Sequence, residues 1–105
     1  MTDYSTMPDD DLDALVAARV MGWQAWSHDR DGPWRPSLYW SDAGRVAEMM
    51  IALGWSVNLR GWPSIALWGC TMRRPDDGPA VFAHAPTAPR AICEAALRAL
   101  DAQEG

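Results

Sequence analysis

The apolar positions of this chain change period along its length, and each change marks an element. Leu12, Leu15, Val16 and Val20 recur at helical spacing, which predicts a first helix from about Asp10 to Met21. Gly22 then suits the left-handed position that ends a helix. From Trp23 to Trp40 no period holds, and Gly32, Pro33 and Pro36 interrupt a stretch dense in aromatic side chains. A short strand near residues 23–27 is compatible with that stretch. Helical spacing returns with Val46, Met49, Met50 and Leu53, predicting a second helix over 42–53 with Ser41 as its cap and Gly54 as its end. Residues 55–60 alternate apolar and polar, the signature of a half-buried strand. Gly61, Trp62 and Pro63 form the following turn, and residues 64–72 read as a second strand. Residues 73–79 read as a polar hairpin loop and 80–85 as a third strand. Ile92, Ala96, Leu97 and Leu100 give a last helix, capped by Thr87 with Pro89 in its first turn.

The order is therefore α-α-β-β-β-α, an α+β fold around a three-stranded antiparallel meander. The second strand is apolar in both phases, with Ile65 and Leu67 in one and Ala66, Trp68, Cys70 and Met72 in the other. A strand covered on both faces implies a helix layer on each, a three-layer α/β/α sandwich. The core positions expected are Leu15, Val57, Leu67, Phe82, Ile92 and Leu97.

Length and charge narrow the picture. At 105 residues the chain is expected to be one domain, with 1–8 and 102–105 frayed. No apolar run reaches the ~18 residues that span a bilayer, and the acidic start is unlike a secretory signal. A cytoplasmic protein is expected, with Cys70 and Cys93 as reduced, buried, apolar fillers. The net charge is −5. Asp3, Asp9, Asp10, Asp11 and Asp13 account for it, because the remainder holds nine Arg against nine acidic residues. That balance argues against non-specific nucleic-acid binding, which needs a basic stripe. The aspartates suit the start of a helix. An acidic mimic of phosphate is the sharper alternative.

Two segments resemble the phage ABA sandwich domain family: residues 12–23 (LDALVAARVMGW) and residues 85–100 (APTAPRAICEAALRAL). Pro36 and Ser37 before an Ala-containing helix, then Gly54 and Trp55, continue the likeness across about 10–100. Residues 38–41 (LYWS) depart from it, standing where a Thr- and Asp-rich stretch is usual. The resemblance implies a three-layer α/β/α fold and a phage or prophage origin. It implies no reaction and no catalytic residues.

The residues themselves offer little chemistry. His28, Asp29 and Asp31 are close in sequence, but a loop of that composition is ordinarily just solvated. His84 and Cys70 face each other if the last hairpin is symmetric, and a packed pair is the plainer reading of them. There is no Gly-x-Ser-x-Gly elbow and no glycine-rich phosphate loop. No enzyme, metal or cofactor is expected.

What stands out is Trp and Arg. The chain has seven Trp, and all nine of its cations are Arg. Trp23, Trp55 and Trp68 belong to the core on this reading. The candidate contact surface is Arg30, Trp34, Arg35, Trp40, the Arg60–Trp62 turn, Arg73 and Arg74, with Arg90 near the last helix cap. Such residues dominate protein interfaces and also stack on nucleotide bases. With the phage kinship, the function expected is a counter-defence protein of the anti-CRISPR kind that inhibits a host factor by contact. The partner is then a host or phage protein, and a homodimer is left open. The alternative is a sponge for a nucleotide-like small ligand. A structural or regulatory phage protein is the third reading. A concave Trp/Arg pocket favours the ligand; a flat surface favours the inhibitor.

Overall fold

The computed structural model of the chain describes residues 3–23, 33–74 and 80–104. Three helices and three strands follow one another in the expected order. Helix α1 spans Asp9–Arg19, α2 Trp40–Ala52 and α3 Ala88–Glu104; strands β1, β2 and β3 span Ser56–Trp62, Leu67–Arg73 and Val81–Ala85. The sheet is an antiparallel meander in the order β1-β2-β3. Thr87 caps α3, its hydroxyl accepting from the Arg90 N–H at 3.4 Å. Gly22 (φ 74°) and Gly54 (φ 99°) take the left-handed conformation just past the ends of α1 and α2.

Helix α3 is the centre of the packing. Residues 91–97 and Ala99 are all buried, and α3 touches all three strands as well as α1 and α2. Its Ala91, Ala95, Ala96 and Ala99 are small enough to let three neighbours approach at once. Leu12 and Val16 of α1, Val46 and Met50 of α2, and Cys70 and Met72 of β2 complete this core. Both cysteines are free and buried, as expected. No helix among the described residues is long and apolar enough to cross a membrane.

The fold is the expected α+β sandwich around a three-stranded sheet, and on one face of that sheet Ser56, Asn58, Arg60, Phe82 and His84 are exposed. Other expectations are corrected. The double apolar phase of β2 is illusory because Ile65 lies in a 3-10 turn (Pro63–Ile65) and Ala66 is the left-handed residue (φ 50°) closing that hairpin. The strand starts at Leu67, so its second face is Leu67, Gly69, Thr71 and Arg73. Gly61 and Trp62 are paired strand residues, not a turn. Phe82 is 58% exposed, while Leu15, Val57 and Leu67 are half-buried; Ile92 and Leu97 are buried as expected.

Within the N-terminal segment expected to fray, residues 4–7 are tied down. Tyr4–Thr6 forms a 3-10 turn and Tyr4 is buried. Its hydroxyl donates to Asp101, which also accepts from Arg19 at 2.6 Å. Arg90 donates to the carbonyls of Tyr4 (2.9 Å) and Met7 (2.6 Å) and to Asp9 and Glu94. At the other end, α3 continues through Glu104.

Candidate functional site on the open face of the sheet

Strand pleat alternates side chains between the two faces. On β1 the phase that escapes the helices is Ser56, Asn58, Arg60 and Trp62. On β2 it is Gly69, Thr71 and Arg73, and on β3 it is Phe82 and His84. The register aligns these in rows: Arg60 opposite Gly69 opposite His84, Asn58 opposite Thr71 opposite Phe82, and Ser56 opposite Arg73. The outer strands carry the long side chains, and the middle strand carries small ones at Gly69 and Thr71. The result is a trough of about 460 Å³ running along β2, with β1 and β3 side chains as its walls.

Gly69 shapes one end. A Cβ there would come within 3.0 Å of the Trp62 ring and 3.2 Å of the His84 ring. The bare backbone thus lets Trp62 lie across β2 toward His84, with ring centroids 5.8 Å apart at 48°. His84 meets Phe82 edge-on at 5.3 Å, and the Arg60 guanidinium lies 5.2 Å from the Trp62 ring centroid. No described residue lining the trough is acidic. The lining cations are Arg60 and Arg73, so the trough carries positive local charge on a chain whose net charge is −5.

The expected contact residues divide. Arg60, Trp62 and Arg73 come together on this face. Trp34 is buried, packed edge-on against Trp23 at 4.7 Å with the Arg45 guanidinium 5.5 Å from its ring centroid. It belongs to the core because the chain from 33 to 39 folds onto α1, where buried Asp13 accepts the Ser37 N–H at 2.9 Å. Arg35 pairs with Asp10 at 3.0 Å, and its own N–H donates to Asp42. Trp40 opens α2 and touches Trp68 on the covered side of the sheet. Arg74 folds back toward Trp55, 5.5 Å from its ring centroid. Arg30, the proposed strand near 23–27 beyond Trp23, the group His28, Asp29 and Asp31, and the loop at 75–79 lie outside the described residues. Sequence reasoning missed Asn58, Thr71, Phe82 and His84. Their signal was the polar phase of β1 and the second phase of β3, which only the register joins.

The reactive groups sit elsewhere or lack partners. His84 faces Gly69, on the opposite side of the sheet from Cys70. Burial pushes the Cys70 thiol up to about 12. Burial also raises the Cys93 thiol well above its ordinary value, and the neighbouring Asp13 adds to the shift. Neither is a thiolate near neutral pH. Among the described residues no group of three or more His, Cys, Asp or Glu is arranged to hold a metal ion.

Three helices and an open antiparallel sheet, in the order α-α-β-β-β-α, define a small α+β protein with one sheet face uncovered by the described residues. Residues 14–97 match the phage ABA sandwich domain, and the chain belongs to that family. Its fold is also that of a phage protein from Bacillus cereus ATCC 14579, known from a 2.0 Å crystal structure. The TM-score is 0.75 over 92% of this chain and 96% of that one, at 22% identity, a likeness of fold. No curated protein matches the chain.

Proposed function

We propose that this protein is a phage accessory factor that acts by binding and performs no reaction, with the open face of the sheet as its binding surface. In that role it is a counter-defence protein that sequesters a host component. One observation carries the reading: Trp62, Phe82, His84, Arg60 and Arg73 share one concave surface with no described carboxylate among its lining. A sheet face kept for packing would be apolar and covered; this one holds rings and cations in water. The concavity favours a small ligand entering the trough over a flat protein partner.

A protein partner is the second reading, and a separate observation favours it. Leu38, Tyr39 and Trp40 are consecutive and exposed at the start of α2.

Affinity capture from host lysate tests both, with mass spectrometry of retained proteins and small molecules. Wild type is compared with the Trp62→Ala/Phe82→Ser double variant. The expected outcome is a component retained by wild type and lost from the variant, with the variant still melting cooperatively. The same components on both proteins would remove the open face as the binding surface.

A further inference from the structure

We propose that the trough is a site for a free mononucleotide, with the base at the Trp62 end and the phosphate at the Arg73 end. The proposal rests on the open face being the binding surface and assigns the chemistry of its ligand. The trough is not uniform along its length. At one end are rings: Trp62 and His84, held over the bare backbone of Gly69. In the middle Asn58 and Thr71, a carboxamide and a hydroxyl, are directly opposed, with the Phe82 ring beyond Thr71 as the wall on β3. At the other end is a guanidinium, Arg73, opposite the hydroxyl-bearing Ser56. Ring, hydrogen-bonding pair and cation, in that order, complement base, sugar and phosphate.

The dimensions agree. The row of Arg60 and the row of Ser56 are four residues apart on β1, about 13 Å at strand rise. The volume of about 460 Å³ falls in the range of small-molecule sites, roughly 300–1,000 Å³. Arg60, beside Trp62, offers a donor fork at the base end, the geometry that reads the O6 and N7 acceptors of guanine.

The charge selects a free nucleotide over a strand. Single-strand binders track a run of phosphates with a basic groove. Among the described residues only Arg60 and Arg73 line the trough as permanent cations, on a chain of net charge −5. One phosphate finds a partner; a polyanion meets net repulsion. An acidic side chain of a protein would satisfy Arg73 but leave the ring platform unused.

The test is an amide and indole NMR titration of the full chain with guanosine monophosphate. Guanosine, inorganic phosphate and a short oligothymidylate form parallel arms. The expected result is saturable shifts at the Trp62 indole N–H and the Gly69, Thr71 and His84 amides with the nucleotide. Guanosine should bind more weakly at the same place. Arg73→Ala should weaken the nucleotide by at least about tenfold, as for loss of a charge-assisted contact, and leave guanosine unchanged. Trp62→Phe, which keeps a ring if Trp62→Ala does not fold, should weaken both. No saturable shift, shifts confined to other surfaces, or equal effects of Arg73→Ala on nucleotide and nucleoside would overturn the proposal. Tighter binding of the oligothymidylate would also overturn it, in favour of a single-strand binder. If the lysate component still depends on Trp62 and Phe82 while the nucleotide does nothing, the binding face stands and only its ligand class falls.

Discussion

Two glycine positions show how single residues set the geometry of this sheet. Gly61 and Trp68 oppose each other, and a Cβ on Gly61 would come within 2.9 Å of the Trp68 ring. On the other face Gly69 lies diagonal to Trp62, and a Cβ there would come within 3.0 Å of that ring. Each glycine lets a tryptophan lie against the sheet. Residue type alone misleads at Phe82, which is 58% exposed because its phase of β3 points away from the helices. The opposite case is Glu94, a carboxylate buried in α3. It accepts from Arg90 at 2.9 Å, and its Oε1 has no partner among the described residues. Burial raises its pKa above the ordinary 4.5, and Arg90 offsets only part of that. The folded protein therefore holds this proton to a higher pH than the unfolded chain does. Stability from this group is present below its unfolded pKa and is lost as pH rises through the folded one. Glu94→Gln should gain stability relative to wild type as the pH is raised from about 4 to 7. Denaturant melts at several pH values read this directly, and a pH-independent difference would mean that folding leaves the Glu94 pKa unshifted.

Among the elements, α3 has the widest contacts, so damage to it should spread. Leu97 is fully buried at its centre. Leu97→Ala should cost ~2–5 kcal/mol, the range for a truncated core leucine. A thermal melt unchanged from wild type would mean that α3 does not dock as described. The elements were legible in the sequence where two signals coincided. Helix α1 has its apolar period and Gly22; α3 has its apolar period and Thr87. Boundaries failed where a local signal competed with pairing. Gly61 and Trp62 look like a turn, but cross-strand bonds to Trp68 and Leu67 carry them into β1 and move the hairpin to residues 63–66. The N-terminal turn carries no periodic signal, because three residues cannot show one. Its order comes from Arg90 and Asp101, more than eighty residues away.

For the molecule as a whole, the arrangement of charge matters more than its sum. Part of the N-terminal acidic cluster is occupied structurally. Asp9 pairs with Arg90 and Asp10 with Arg35, while Asp11 is exposed in the first turn of α1. The trough, formed on the uncovered face, has Arg60 and Arg73 and no described carboxylate. Replacing Asp9, Asp10 and Asp11 together by Asn should therefore lower stability by about 1–2 kcal/mol. Binding to the open face should be unchanged. If binding weakens strongly while the melt stays put, the aspartates are themselves a contact surface.

The sequence by itself determined the class, the order of elements, the antiparallel meander, the Thr87 cap of α3 and the glycines that follow α1 and α2. Each of these follows from periodicity or backbone preference within a few residues of chain. Ser41, expected to cap α2, lies inside it, because α2 begins at Trp40 after the extended Tyr39. The sequence also singled out Arg60, Trp62 and Arg73. It could not separate them from Trp34 or Arg74, because Trp and Arg serve equally well in a core, on a neighbouring ring or in a binding face. That separation is made by strand register and by which face α2 and α3 cover. Register brings Asn58 and Thr71, then Phe82 and His84, beside residues far from them in sequence. Burial of one sheet face leaves the other to water, and a one-residue change of phase decides which side chains it carries.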